Sequence, residues 1–134
     1  MADCSSLLLT QLLDDVVKHD YSWEFVFSDR VRLQVECLWR LVVSGRLVIT
    51  SEDHGHQFGL PAPVDCLGEL RRQIIGAAVV DVKVRSGTID ITLGFGSGHT
   101  LEVISTSAAY EAWQITAPGV LMVGNPGHEG YGCR

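Results

Sequence analysis

Glu111 stands out among the residues whose type and position could support chemistry. In the stretch 110–115, strict alternation puts Glu111 on the same face of a predicted strand as Trp113 and Ile115. Its carboxylate is therefore expected to point toward the protein interior. Desolvation raises the pKa of an inward carboxyl group, and groups of this kind serve as general acids. The alternative is a structural carboxylate that caps the preceding loop, residues 105–109.

A cleft around Glu111 would draw further polar groups from Tyr110 and His99. The chain would then be a small-molecule-binding protein or an enzyme. Trp113 fits either a core anchor or an aromatic platform for a ligand. His99 follows the glycine-rich stretch 94–98, which joins two predicted strands. Phosphate loops need a helix directly after their glycines, so this stretch predicts a hairpin turn.

A second cluster of polar groups lies in the middle of the chain. His54 and His56, beside Glu52 and Asp53, offer two imidazoles and two carboxylates within five residues. Metal sites need about three converging ligands, usually drawn from distant parts of the chain. A solvated linker explains the same composition, so these histidines are only weak candidates. We predict no bound metal or other cofactor and no assembled catalytic group.

Composition narrows the classes of partner. The 134 residues are 46% hydrophobic and carry a net charge of −6, so no basic field attracts nucleic acid. Acidic groups on predicted strand faces and in the linker, among them Glu36, Glu52 and Asp53, favour a basic protein partner. The start of the sequence lacks a basic segment, and Asp14 interrupts its apolar run. We therefore expect no signal peptide, no membrane association and a cytoplasmic location, with the cysteines as free thiols.

Hydrophobic periodicity predicts an α+β fold with antiparallel sheets. Apolar spacings typical of helices occur over residues 5–17 and about 63–75. The intervening and following stretches alternate with a period of two, which predicts four or five strands after each helix. Residues 51–63 are polar, aperiodic and rich in glycine and proline, as a connection would be. Residues 125–134 read as a flexible tail.

The two predicted halves agree in order, which suggests an internal repeat within a single domain of residues 1–134. The first pseudo-repeat spans about 5–50 and the second about 64–124, each with one helix. Their final hairpins, 38–50 and 110–124, share the pattern W-[RQ]-[LI]-x-x-[SP]-G-x-L-x-[IV]. Both hairpins are apolar on two faces, which places them centrally or at a homodimer interface.

The closing tract resembles a known family. Tyr110-Glu111-Ala112-Trp113, followed by Gly124-Asn125-Pro126-Gly127, resembles an uncharacterised family of small bacterial proteins with a late Tyr-Glu-x-Trp motif and a glycine–proline–glycine tract. Here Asn125 interrupts the tract, and His128 stands where another glycine is usual. The family brings no established activity.

Three functional hypotheses remain open at this point. The chain is similar in size and acidity to the small proteins that accompany secreted bacterial toxins, so the leading hypothesis is a non-enzymatic interaction module. An immunity-type inhibitor of a basic partner is its most concrete form. The second hypothesis is a ligand-binding cleft around Glu111, and the third is a structural homodimer.

Overall fold

The chain is mostly β-structure with one described α-helix. The computed structural model describes residues 5–126 and the backbone of residues 130–133. The described strands are, in chain order, β1 (Leu13–Lys18), β2 (Trp23–Phe27), β3 (Arg32–Val35), β4 (Leu38–Val43), β5 (Arg46–Thr50), β6 (Val79–Val84), β7 (Ile91–Phe95), β8 (His99–Ile104), β9 (Trp113–Ala117), β10 (Val120–Asn125) and β11 (Gly130–Cys133). The helix α1 spans Cys66–Ile74, and short 3₁₀ turns cover Ser5–Leu8, Ser28–Arg30 and Ser51–Asp53.

The strands form two antiparallel sheets. One sheet has the order β1-β2-β3-β9-β10-β11, and the other has the order β5-β4-β8-β7-β6. The α+β class and the antiparallel sheets predicted from the sequence are therefore confirmed. Strands β4 and β9 each lie between two partners, as expected for hairpins that are apolar on both faces.

Each sheet combines a three-stranded meander from one half of the chain with a hairpin from the other half. The β4–β5 hairpin joins the β6-β7-β8 meander, and the β9–β10 hairpin joins the β1-β2-β3 meander. The two junctions have matching registers, Val35↔Trp113 with Leu33↔Ile115, and Val103↔Trp39 with Leu101↔Leu41. Neither predicted half folds as a separate unit, because each sheet needs strands from both.

The two sheets face each other across one apolar core. Trp23 and Phe25 of the first sheet lie edge-on to Trp39 of the second, with ring centroids 5.1 and 6.0 Å apart. Trp113 Nε1 donates a hydrogen bond of 2.9 Å to the carbonyl of Ile89, which joins the sheets from the other side. Burial of these large aromatic groups supplies much of the driving force for folding.

The predicted helix over residues 5–17 is wrong. Only Ser5–Leu8 is helical, as a 3₁₀ turn, and Leu13–Lys18 is strand β1. A β-bulge between Leu13 and Asp15 puts Leu13 and Val16 on the same buried face. Their three-residue spacing imitates a helical period. Because this segment is a strand, the prediction of one helix in each half is also wrong.

The second predicted helix is confirmed as α1. Asp65 is its N-cap and accepts a hydrogen bond of 3.1 Å from the Gly68 amide. Leu70 and Ile74 bury its apolar face, and Gly76, with φ +85°, follows its end. The helix contacts both β1 and β5, so it joins the edges of the two sheets.

The predicted flexible tail is in part a strand. Residues 130–133 pair with β10 as strand β11, while residues 127–129 and 134 lie outside the described part of the chain. Within the described residues, no helix combines the length and the hydropathy that a membrane crossing requires.

Candidate functional site

Glu111 and Tyr110, two of the three residues predicted to line a cleft, border an open groove of about 680 Å³. We call it the Glu36–Glu111 groove. Its lining combines two carboxylates, two tyrosines and small polar side chains: Tyr21, Glu36, Cys37, Thr106, Ser107, Tyr110, Glu111 and Ala112. The Glu36 amide donates to the carbonyl of Ala112 at 2.9 Å, which ties the two walls together. Predicted residues from both halves of the sequence thus meet in one place.

The two carboxylates of this groove form no ion pair within the described residues. The side-chain amide of Gln114 donates a hydrogen bond to Glu111, but that donor is neutral. Partial desolvation, followed by the negative charge of Glu111, raises the pKa of Glu36 above its ordinary value. The groove is therefore anionic and suited to a cation.

The groove offers poor conditions for nucleophilic chemistry. Burial raises the pKa of the Cys37 thiol to about 12, with further contributions from Asp90 and Glu36. The thiol stays protonated at neutral pH, whereas the thiolate is the nucleophilic form. The residues lining the groove include no histidine, lysine or arginine to activate it. Binding a cation is the chemistry that this set of side chains supports.

Two of the predicted site residues lie elsewhere. Trp113 is fully buried between the sheets, so it is a core anchor and cannot act as a ligand platform. His99 stands at the opposite end of β8 from the groove, where its Nε2 lies 2.8 Å from the side-chain oxygen of Gln73 and its Nδ1 lies 2.9 Å from Ser97 Oγ. The prediction that His99 shares a cleft with Glu111 is wrong, because β8 runs its full length between them.

A second groove of about 690 Å³ opens beside α1, and the sequence did not predict it. We call it the loop groove, because residues 54–64 form most of one wall. Its lining is apolar with charged groups at the rim: Val48, Ile49, Asp53, Phe58, Leu60, Pro61, Ala62, Pro63, Val64, Asp65, Glu69 and Arg72. Two predicted acidic residues belong to this region, Asp53 in the lining and Glu52 exposed beside it.

Residues 55–63 are exposed to solvent, as expected of a linker, and hydrogen bonds of its own backbone hold the loop of residues 54–64 in place. The Gly55 amide donates to the carbonyl of Val64 at 2.9 Å, and the Val64 amide donates to the carbonyl of His56 at 2.7 Å. His54 Nδ1 accepts a hydrogen bond of 3.1 Å from the Cys66 amide, and its ring lies edge-on to Trp23. These contacts fix both ends of the loop to the core.

Large apolar side chains are exposed on this loop. Phe58 is 67% exposed and Leu60 is 49% exposed. Phe58 has φ +50°, in the left-handed region that side chains with a Cβ rarely adopt, and its ring stacks on that of His56 at 5.5 Å. Strain of this kind persists only where surrounding contacts impose it, and it is concentrated at functional sites. The loop therefore holds an aromatic ring out toward solvent.

The rim of the loop groove carries an uncompensated negative charge. Burial raises the pKa of the Cys66 thiol to about 12, and the negative charges of Asp53, Asp65 and Glu69 raise it further. Arg72 pairs with Glu69, whose pKa is lowered mainly by that hydrogen bond. Among the described residues, the side chains of Asp53 and Asp65 accept hydrogen bonds only from the backbone amides of Thr50 and Gly68, so neither carboxylate has an ion-pair partner there.

The weak metal candidates His54 and His56 do not converge. His54 uses Nδ1 for the Cys66 amide, and His56 stacks on Phe58. No group of three or more histidine, cysteine, aspartate or glutamate side chains within the described residues is arranged to hold a metal ion. The geometry thus assigns the two histidines to the architecture of the loop.

Comparison with known proteins identifies the family. A family of unknown function, DUF6188, matches residues 23–129, which is most of the chain. The chain belongs to DUF6188. Searches of curated proteins and of solved structures find no match. The family resemblance drawn from the closing tract is therefore confirmed, and like that resemblance the family brings no activity.

The structure explains the tract that carries this DUF6188 resemblance. Gly124 pairs with Trp113 across the β9–β10 hairpin, and a Cβ at Gly124 would lie 2.7 Å from Trp113 Cδ2. The late glycine leaves room for the buried tryptophan ring. Glu111 precedes that ring at the mouth of the groove, and Tyr110 is 77% exposed beside it. The motif thus combines a packing requirement with a surface site.

Sequence reasoning missed Phe58, Leu60 and Asp65 in this DUF6188 protein. A usable signal was present, because Phe58 and Leu60 are large apolar residues in a stretch otherwise made of glycine, proline and polar residues. Large apolar side chains that lie together on a surface loop are a signal of an interaction site. No local sequence pattern indicates the hydrogen bond from the Cys66 amide to His54 that fixes the loop, because the two residues are 12 positions apart.

Proposed function

We propose that this DUF6188 protein is a non-enzymatic protein-interaction module of the cytoplasm. Its most concrete form is an immunity-type inhibitor that binds a basic partner. The observation that carries the proposal is the loop of residues 54–64, which its backbone contacts hold rigid while Phe58 and Leu60 stay exposed. A rigid loop loses little entropy on binding, and exposed apolar groups on it gain free energy when a partner covers them.

The test is affinity capture from a lysate of the source organism with three baits. These are the wild type, Phe58→Asn and the control Tyr21→Asn. Asparagine tolerates the left-handed backbone at position 58, so the fold is retained while the apolar ring is removed. Tyr21 is 91% exposed and lies in the other groove. We expect one basic protein that the wild type and Tyr21→Asn capture and that Phe58→Asn loses. Equal capture by all three baits would refute the assignment of partner binding to the loop of residues 54–64.

A small-molecule site in the Glu36–Glu111 groove is the second candidate. It is favoured by two carboxylates that have no cationic partner among the described residues, next to Tyr21 and Tyr110, whose rings are available for cation–π contact. Titration with tetramethylammonium and methylammonium ions, followed by NMR of labelled protein, tests it. We expect shifts confined to this groove and lost in Glu111→Gln. Uniform or absent shifts would exclude an ammonium site.

The third candidate is a homodimer through hairpins 38–50 and 110–124, and the sheet topology limits which strand edges of these hairpins could pair with a second copy. Strands β4 and β9 already have partners on both sides, so only β5 offers a free edge from these hairpins among the described strands. Mass measured by light scattering over a range of protein concentrations decides this version. A constant monomer mass would rule it out.

We also propose that the chain consists of two structurally equivalent units that exchange their hairpins. The matching registers at the β3–β9 and β4–β8 junctions support this, as do β-bulges at corresponding places in β1 and β6. Leu33 and Leu101 are fully buried and occupy corresponding positions. Replacement of either by alanine should therefore cost a similar free energy of unfolding, about 3 kcal/mol. If the two substitutions differed in their effect on the free energy of unfolding by as much as about 3 kcal/mol, the two units would not be structurally equivalent.

A further inference from the structure

The loop groove has features that restrict what its partner can present, and the inference drawn from them rests on the function proposed above. Most of its lining is apolar, with Val48 and Val64 packed partly buried against the core and Phe58 and Leu60 exposed. A cavity of about 690 Å³ falls in the range that takes a drug-sized group or a few residues of a peptide. The occupant must therefore bring large apolar side chains on a short segment.

The rim fixes the charge of that segment. Three carboxylates, Asp53, Asp65 and Glu69, face the groove with one guanidinium, that of Arg72. Arg72 is engaged with Glu69, so the charges of Asp53 and Asp65 have no cation among the residues lining the groove. Cations on the occupant would meet these carboxylates, whereas anions would be repelled.

We propose that the loop groove binds a cationic, apolar segment of a partner protein. In this segment one or two large apolar side chains contact Phe58 and Leu60. Lysines or arginines on either side pair with Asp53 and Asp65. Apolar burial gives most of the affinity, and the charges decide which segments are accepted.

Two substitutions can remove the negative charges of Asp53 and Asp65 without removing the hydrogen bonds that these side chains accept. Asp53 and Asp65 each accept a backbone amide through one side-chain oxygen. Asparagine keeps an oxygen that can accept the same hydrogen bond, and it is as good an N-cap as aspartate. The double variant Asp53→Asn/Asp65→Asn therefore removes the charges of the groove while it leaves the capping contacts in place.

The experiment measures fluorescence anisotropy with three labelled peptides of about ten residues. The first has a central leucine–phenylalanine pair flanked by lysines. The second replaces the lysines by glutamates, and the third replaces the apolar pair by serines. We expect the wild type to bind the first peptide and to reject the other two. The double variant should bind it about 2- to 30-fold more weakly, as expected for the loss of two exposed ion pairs. Phe58→Asn should abolish binding, and Tyr21→Asn should leave it unchanged.

The outcomes distinguish this inference from the function on which it rests. Equal binding of the lysine and glutamate peptides, or no effect of the double variant, would overturn the inference even if lysate capture depends on Phe58. Failure of the wild type to capture any protein would refute the proposed function itself, whereas capture of a basic protein that does not depend on Phe58 would overturn only the inference. Self-association that Phe58→Asn abolishes would show a second copy of the chain as the occupant and would also overturn the inference.

Discussion

At the scale of single residues, the contact between Gly124 and Trp113 is the tightest constraint in the β9–β10 hairpin. Trp113 is completely buried, and its Nε1 donates to the carbonyl of Ile89 in the connection between β6 and β7. Its ring occupies the space where a side chain at Gly124 would lie. The requirement for glycine here is steric, since Gly124 does not have a positive φ.

Gly124→Ala should therefore destabilise the fold by about 3 kcal/mol, because the added methyl group overlaps the Trp113 ring and forces the hairpin or the ring to move. Gly96→Ala is the matched control, since its Cβ would make ordinary contacts, with Val80 Cγ1 at 3.6 Å and the carbonyl oxygen of Ala78 at 3.8 Å. We expect the control to stay within about 0.5 kcal/mol of the wild type in urea unfolding. Equal effects of the two substitutions would contradict the packing role of Gly124.

Glu36 gives a prediction for pH. Its pKa is raised from the ordinary value of 4.5 by desolvation and then by Glu111, so the folded chain binds this proton more tightly than the unfolded chain. Ionisation of Glu36 thus lowers stability as the pH rises through 4.5 and above the folded pKa. Glu36→Gln should raise the melting temperature at pH 7, and this gain should vanish well below pH 4.5.

The Glu111→Gln variant provides the control. Removing one of the two causes should bring the pKa of Glu36 back toward 4.5, which an NMR titration of the Glu36 carboxyl carbon measures directly. An unchanged titration would mean that the two carboxylates do not interact across the groove.

At the scale of elements, the loop of residues 54–64 depends on His54. Its Nδ1 is the acceptor for the Cys66 amide, the first residue of α1. His54→Ala should leave that amide without its partner and speed its hydrogen exchange, at a cost of about 1–3 kcal/mol. His56→Ala is the control, because the His56 ring only stacks on Phe58. Equal exchange of the Cys66 amide in both variants would show that His54 does not fix the loop.

The elements also show how far the sequence could predict this fold. Alternation of apolar residues located most strands, and α1 followed from the helical spacing of its apolar residues. Strand β1 was mistaken for a helix because a bulge put Leu13 and Val16 three residues apart on the same face. The pairing of β3 with β9 joins residues some 80 positions apart, and no local pattern contains that information.

The candidate sites follow the same logic. Glu36 and Glu111 were each identified, but only the pairing of β3 with β9 brings them to one groove. The sequence does not show that His99 begins β8 while the groove lies beyond the other end of that strand, so the prediction that His99 lines the groove is wrong. The loop groove was missed because it is formed by tertiary contacts between residues 54–64 and α1.

At the scale of the whole molecule, each sheet contains strands from both halves of the chain. The two halves therefore cannot separate without unpairing β9 from β3 and β4 from β8. The two grooves lie at the periphery of the core, the loop groove beside α1 and the Glu36–Glu111 groove beside the start of β9. A net charge of −6 adds a general attraction for basic partners that salt should weaken.

The central claim is that partner binding occurs through the loop groove. The most direct measurement is hydrogen–deuterium exchange of the wild-type chain, free and bound to the partner that it captures. We predict that protection on binding is concentrated in residues 54–65, with no change in residues 105–112. Protection of residues 105–112 without any in residues 54–65 would contradict the claim and place recognition at the Glu36–Glu111 groove.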